Sequence, residues 1–343
     1  MKILFLTHKF YPDIGGIEVN SEILANAFQE AGHEICLVTW TKDQGTKTFP
    51  FTIIRNPGLS NLIKAHRWAD IVFENNPSLR LAWPSFILNK KFVVALRTWI
   101  NRMDGTLGWQ DKLKLKWLKK ASAVIAVSEA VRLECWLPAI VIGNPYRNEL
   151  FKVLPGVEKN GGFVFLGRLV SDKGVEMALK AFAVVLQQKR ADRYNGIKMN
   201  FTIIGDGPEL PALTNLVNKL GIQDDVEFKG ALRGETLVNC LNQHRFILVP
   251  SLWAEPFGNV ALEGMACGCV PIVSDGGGLV DAIGNAGLSF KRGDVASLAD
   301  CIRHVIEYPA VEQQLRENAP AHLSTHLPEK VSERYLSVLE NCL

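Results

Sequence analysis

The chain has 343 residues, 48% of them hydrophobic and 21% charged, with a formal net charge of +3. That is long enough for two domains with full cores, and the composition is that of a soluble globular protein; so small a charge gives no reason to expect a nucleic-acid partner. Seven cysteines, scattered from Cys36 to Cys342, fit a reducing compartment better than a disulfide framework.

Residues 3–7 are a short apolar run and read as a first buried strand. The run is too short for a signal peptide, and none elsewhere approaches a membrane span. The expected location is therefore cytoplasmic, with peripheral contact at the inner face of a membrane as the furthest departure. A loop at 8–16 ends in Gly15-Gly16. Apolar residues at helical spacing follow (Val19, Ile23, Leu24, Ala27, Phe28), Gly32 caps them, and 35–39 is a second strand. This βαβ unit implies a parallel, right-handed sheet with the glycine pair at its carboxyl edge, where ligands gather in such folds. The spacing is not G-x-G-x-x-G, so the dinucleotide fingerprint is absent. Further buried strands are expected at 52–54, 71–73, 92–96 and 123–127. Residues 112–121 form a basic helix with Leu and Trp interleaved. It reads as a solvated face covering the sheet or, more sharply, as an attachment to an anionic membrane or a polyanionic acceptor.

At 144–162 the periodicity lapses, two prolines occur, and a domain boundary is expected near residue 150. A second α/β series follows, with strands at 163–166, 199–204, 226–229, 246–249 and 270–273 and helices at 175–188, 211–220, 234–243 and 298–307. The first domain is thus 1–150 and the second 151–327; a last helix, 328–343, is suited to pack back on the first.

Chemistry concentrates in the second series. Glu255 and Glu263 bracket a turn with seven residues between them, and Gly258-Asn259 starts a helix there. Free N–H groups and the dipole at such a helix start favour an anion. Arg168 and Lys173 flank one strand-to-helix loop, where a guanidinium fork and a point charge suit a diphosphate. The plainer reading is surface cations near a helix start, which the dipole disfavours. Gly205-Asp206-Gly207 ends the next strand at the same edge. Backbone groups at Ala231-Leu232 suit a base edge or an ordinary turn equally. Cys267 and Cys269 read as two small buried residues rather than a metal or redox pair.

Gly15-Gly16, G-R-x-x-x-x-K-G at 167–174, Gly205-x-Gly-Pro, and E-P-F-G-x-x-x-x-E at 255–263 stand in the order found in family 4 retaining glycosyltransferases, which the chain resembles over nearly its whole length. The resemblance implies the fold class GT-B, α/β with two Rossmann-like domains facing across a cleft. It implies catalytic roles for Glu255, Arg168 and Lys173, with Arg168 and Lys173 holding the donor diphosphate. Glu263 would bind the ribose hydroxyls, and the Ala231-Leu232 backbone would face the base. Glu255 would hold the transferred sugar, with Phe257, Gly258, Asn259 and Val260 lining its pocket, while Gly15 and Gly16 would bring an N–H to the phosphate and Gly205 would let the donor approach. It implies no metal or other cofactor, and the chain has no D-x-D carboxylate pair. The donor is expected to be a nucleotide sugar, UDP-glucose by preference, and the acceptor a saccharide or lipid-linked saccharide.

One position departs from the family. A histidine usually follows a first-domain strand, and here Arg97 follows 92–96, so Arg97 joins the catalytic candidates as a phosphate or hydroxyl contact, though arginine is a poor base. His8 and His66 are weaker candidates for the missing role, and His33 reads as structural. The rival functions are a sugar-nucleotide epimerase or hydrolase on the same fold and a non-catalytic nucleotide-sugar-binding subunit.

Overall fold

The computed structural model describes residues 1–13, 15–101, 106–159, 161–188 and 199–343. Ile14 and Asn160, within the loops expected at 8–16 and 144–162, lie outside the described residues. The chain divides into two units, Met1–Pro145 with His326–Leu343, and Tyr146–Thr325.

The first unit runs β1 (Lys2–Thr7), α1 (Gly16–Glu30), β2 (Glu34–Thr39), β3 (Thr52–Arg55), α2 (Leu59–Trp68), β4 (Ile71–Asn75), α3 (Leu79–Ile87), β5 (Phe92–Leu96), α4 (Trp109–Leu118), β6 (Ala123–Ala126), α5 (Glu129–Cys135) and β7 (Ile140–Val141). Among the described residues these seven strands form one parallel sheet in the order β3-β2-β1-β4-β5-β6-β7. Leu37 and Phe73 flank Phe5 in register, and the rings of Phe5 and Phe73 meet edge-on at 4.9 Å. Because β1 and β4 are covered on both faces, they read as continuous apolar runs rather than alternating ones.

The second unit runs β8 (Gly161–Leu166), α6 (Val175–Gln188), β9 (Phe201–Ile204), α7 (Leu210–Leu220), β10 (Val226–Gly230), α8 (Gly234–Asn242), β11 (His244–Val249), α9 (Asn259–Ala266), β12 (Val270–Ser274), α10 (Leu279–Ile283), β13 (Leu288–Phe290), α11 (Val295–Glu307) and α12 (Pro309–Ser324). Its parallel sheet has the order β10-β9-β8-β11-β12-β13 among the described residues. Phe163 stacks on Phe246 at 5.1 Å at the centre of its core. The strand order reverses between β1 and β4, and again between β8 and β11. In such sheets the carboxyl ends of the strands at the reversal form the ligand crevice.

The last helix, α13 (Pro328–Asn341), belongs to the first unit. Val331, Tyr335 and Leu339 recur at i, i+4 and i+8, so one face of the helix enters the core. Tyr335 is fully buried and packs edge-on against Phe73 at 5.7 Å.

Residues 146–159, inside the stretch where the boundary is expected, belong to the second unit. The Leu154 N–H donates to Asn242 Oδ1 at 2.8 Å, and the Lys159 ammonium spends its three protons on the carbonyls of Asn242, His244 and Cys267 at 2.9–3.1 Å. The division falls after Pro145, inside the 144–162 stretch. Helix α4 begins at Trp109, ahead of the expected 112, because the Gly108 N–H donates to Asp111 Oδ2 at 3.0 Å and closes its first turn. Strands β7 and β13 and helices α2, α3, α5, α10 and α12 had no individual counterpart in the sequence reading. Cys267 and Cys269 are buried. No helix among the described residues is long and apolar enough to cross a membrane.

Candidate active site

Three loops at the carboxyl edge of the second sheet converge on Glu255. The loop after β8 closes as a 3-10 turn at Ser171–Lys173 and exits through Gly174. The Asp172 carbonyl in that turn accepts the N–H groups of Leu252 (2.8 Å) and Trp253 (3.2 Å) in the loop after β11. The loop after β12 supplies the third tie, with the Gly278 N–H donating to the Glu255 carbonyl at 2.7 Å and Gly277 bridging to Glu255. Backbone bonds thus fix all three loops before any side chain is considered.

The side chains then meet. The Lys173 ammonium forms an ion pair with Glu255 Oε1, and the Ser251 hydroxyl donates to the same oxygen at 2.8 Å. The Ser274 hydroxyl holds the Ser251 carbonyl at 2.8 Å from below. Both members of the pair are mostly enclosed, with side-chain exposures of 20% for Lys173 and 15% for Glu255, so water screens it less than a surface pair. The Trp253 ring lies 5.8 Å from the ammonium. Glu255 Oε2 has no hydrogen bond among the described residues and remains available to a ligand.

Glycine is required at two positions here. Gly174 has φ +69°, and a Cβ there would stand 2.0 Å from the Pro250 carbonyl oxygen. Gly258, the N-cap of α9, has φ +125°, and a Cβ would meet Leu279 Cδ2 at 2.4 Å. Gly174→Ala combines left-handed strain with a backbone clash, and a loss of about 2–4 kcal/mol of stability is expected. Urea unfolding checks this through a lower midpoint at unchanged slope; an unchanged midpoint would show that the Lys173 loop yields freely.

Around this centre lie the remaining candidates of the second unit. Arg168 is exposed, and its guanidinium makes no ion pair among the described residues. The Gly205 N–H donates to the Gly230 carbonyl at 2.8 Å, joining the ends of β9 and β10, beyond which Ala231 is exposed and Leu232 half-buried. Phe257 is buried, and Asn259 and Val260 form the half-buried first turn of α9. Glu263 lies one turn further along; burial pushes its carboxyl up to about 7, and the Arg147 guanidinium acts in the opposite direction. Ser251, Ser274, Trp253 and Arg147 are neighbours of the site that sequence reading did not identify. Only Ser251 carried a signal, as the residue that ends β11 in a Pro-Ser turn.

The first unit presents a different chemistry at its carboxyl edge. Arg97 is 6% exposed. Its Nε donates to Asn75 Oδ1 at 2.6 Å, its Nη1 to Asn144 Oδ1 at 2.9 Å and its backbone N–H to Asn76 Oδ1 at 3.2 Å, while the guanidinium lies 5.1 Å from the Tyr335 ring. Asn75 Nδ2 passes the network to Ser21 Oγ (2.6 Å), which lies 3.1 Å from Thr7 Oγ1, and Asn20 Nδ2 joins Asn144 Oδ1 at 3.0 Å. The Arg97 side chain is thus buried and ties the end of β4 to Asn144. Burial lowers its pKa, which Tyr335 partly opposes.

Beside it Glu74 is fully buried, accepting the Trp117 indole N–H at 2.7 Å and the Ser78 N–H at 3.1 Å, and desolvation pushes its carboxyl up to about 7. Gly16, at the start of α1, is exposed and Gly15 half-buried. Of the histidines, His8 is exposed, His66 is buried against the Leu62 carbonyl, and His33 lies 3.2 Å from the chain's amino terminus.

Residues 147–322, just over half of the chain, match the family model for glycosyl transferases group 1. The chain belongs to the group 1 glycosyltransferases. Among curated relatives, an uncharacterised glycosyltransferase of Methanocaldococcus jannaschii is 35% identical to this group 1 member over 35% of the chain and 28% of its own length. The GDP-Man:Man(3)GlcNAc(2)-PP-Dol alpha-1,2-mannosyltransferase of Mus musculus is 29% identical over 52% of the chain and 38% of its own length. The matched part thus spans well under half of either relative. Among solved structures, Anabaena HepE in complex with UDP superposes with a TM-score of 0.82 at 21% identity, over 99% of this chain and 100% of that one. The two units of this group 1 glycosyltransferase therefore have the Rossmann-like GT-B architecture.

Proposed function

We propose that the chain is a retaining glycosyltransferase of family 4 that moves a hexose from a nucleotide sugar, UDP-glucose by preference, to a saccharide or lipid-linked saccharide acceptor. The observation that carries the reading is the enclosed Lys173–Glu255 pair, pinned by three loops at the strand-order reversal, with Arg168, exposed and without an ion pair among the described residues, on the same strand-to-helix loop. The known sugar-nucleotide ligands of relatives support it. The Mus musculus relative is named for GDP-mannose, and the Anabaena protein has been crystallised with UDP-glucose.

In this reading the donor's diphosphate lies against Arg168 and Lys173. As the glycosidic bond breaks through an oxocarbenium-like state, negative charge grows on the leaving diphosphate, and fixed cations beside it stabilise the transition state more than the ground state. These cations do the work a metal would otherwise do, so no metal is required. Lys173 comes to the phosphate already oriented by Glu255, while Glu255 Oε2 accepts a hydroxyl of the sugar. The donor phosphate assists removal of the acceptor proton, so no protein nucleophile is invoked. Glu263 takes the ribose hydroxyls and the Ala231-Leu232 backbone the base.

The test is a panel of nucleotide sugars with nucleotide release as the readout, run with and without saccharide acceptors. Release from a UDP-hexose that is accelerated by an acceptor is expected. Conversion of the donor without any acceptor would replace the reading by an epimerase or hydrolase, and tight nucleotide binding with no release from any donor would replace it by a binding subunit.

A further inference from the structure

The first unit holds a pocket that the candidate active site does not use. It has a volume of about 510 Å³, within the range of small-molecule sites, and lies between the edge strand β3 and helix α2. Glu34 and Thr52 open β2 and β3, and Trp68 ends α2 shortly before β4, so part of the lining stands at the amino end of the sheet. The carboxyl edge is about 20 Å from those residues, the length of the six-residue strand β2.

An apolar floor meets a polar rim in this pocket. Cys36 and Thr52 are register partners and Ile54 follows two residues on, so all three present one face of the sheet to it. Buried Ala65 and half-buried Trp68 line it from α2. Gln29, Glu34, Asn61 and Lys64 complete the rim, and none of their side chains makes a hydrogen bond or ion pair among the described residues. The backbone that carries the indole is pinned on its far side. Lys90 Nζ donates to the Ala69 carbonyl at 2.5 Å, the Asp70 N–H to the Lys2 carbonyl at 2.9 Å, and the Lys2 N–H to Asp70 Oδ2 at 2.7 Å. The end of α2 is thus tied to the sheet, and the placing of Trp68 does not wait for a ligand.

The lining selects among ligands by its chemistry. Glu34 and Lys64 carry opposite charges, so the pocket favours neither an anion nor a cation. A hydrocarbon would suit the floor but desolvate the amides and charges of the rim without replacing their bonds to water. A sugar ring suits both parts. Its C–H face lies against an indole, and its hydroxyls both donate and accept, matching amide, carboxylate and ammonium groups. We propose that this pocket binds a short neutral saccharide, as a second saccharide site separate from the site of transfer. Its use, to retain an acceptor chain on the enzyme and raise its local concentration, rests on the glycosyltransferase reading; the binding itself does not.

The experiment titrates the full chain with maltotriose, cellotriose and triacetylchitotriose, read by saturation-transfer difference NMR, with octanoate and inorganic phosphate as rival probes. At least one trisaccharide should bind, and saturating UDP should not displace it. Trp68→Ala and, separately, the double variant Asn61→Ala, Lys64→Ala should each weaken that binding about tenfold, whereas Trp68→Phe should keep most of it. Asn61 and Lys64 are exposed, so the double variant should keep its far-ultraviolet circular dichroism and its UDP affinity, which separates lost binding from misfolding. Trisaccharide binding that persists in Lys173→Ala, or in a chain that turns over no donor, upholds the pocket whatever becomes of the catalytic reading. The proposal is overturned if none of the three trisaccharides binds, if their binding survives both pocket changes, if UDP displaces them, or if octanoate or phosphate is held more tightly and is lost with Trp68→Ala.

Discussion

Lys173→Ala is expected to lower kcat/KM for the donor by about a hundred- to a thousandfold, on the scale of removing one preorganised electrostatic stabiliser. Two effects combine in that number. The leaving diphosphate loses a cation, and the enclosed carboxylate of Glu255 loses its partner, leaving Ser251 as its remaining hydrogen-bond donor. The second effect is separable. Glu255→Gln removes the stray charge, so a double variant that recovered activity relative to Lys173→Ala would show that the misplaced carboxylate was the larger fault. Arg168→Ala is the control, because Arg168 is exposed and makes no ion pair among the described residues: it should weaken nucleotide binding at unchanged stability. Titration calorimetry with UDP and donor turnover check all four proteins. Unchanged UDP affinity in both Lys173→Ala and Arg168→Ala would sink the diphosphate assignment.

The second large effect concerns stability. Arg97→Leu strands Asn75 Oδ1 without its donor, takes the Nη1 donor from Asn144 Oδ1, and leaves both in a buried setting. Leaving buried polar groups unsatisfied costs about 1–3 kcal/mol for each group, so a loss of roughly 3 kcal/mol is expected. Seven of the eight tryptophans lie in the first unit, Trp253 being the exception, so tryptophan fluorescence during urea unfolding reads this unit almost selectively. Arg97→Lys keeps the charge but loses the fork that spans Asn75 and Asn144, and should fall between the two. An unchanged midpoint with weakened donor turnover would return Arg97 to the ligand contact that its sequence position suggests.

These two residues also mark how far the sequence could be read. Strand β5 and helix α6 have the bounds expected from their apolar runs, because long or fully buried segments carry a strong periodic signal. Strands β7 and β13, two and three residues long, are too short to show a period. Helix α12 contains Pro320 and a mostly polar surface, both of which read as loop. Within the site, Lys173 and Glu255 are far apart in sequence, and spacing alone could place each at the sheet edge but could not pair them. The pairing depends on Asp172 and Gly278 backbone bonds between three loops. The surroundings of Arg97 were hidden for a related reason. A cation just past a strand end reads as a ligand contact, whereas its burial depends on Asn144 and Tyr335, which are distant in the chain.

The discontinuity of the first unit bears on how the molecule is made. Residues 146–325 are a continuous insertion, whereas the core around Phe73 lacks Tyr335 until the final helix has been synthesised. On the ribosome the later unit can finish first, while the earlier one waits with an uncovered apolar face between Phe5, Phe28 and Phe73. The buried His326 ring, which meets the Asn144 carbonyl at 2.9 Å, closes that interval by joining the place where the chain leaves the first unit to the place where it returns. A nascent chain stalled before residue 326 would thus expose a complete second unit attached to an unfinished first, a substrate for chaperones and proteases rather than a partly active enzyme.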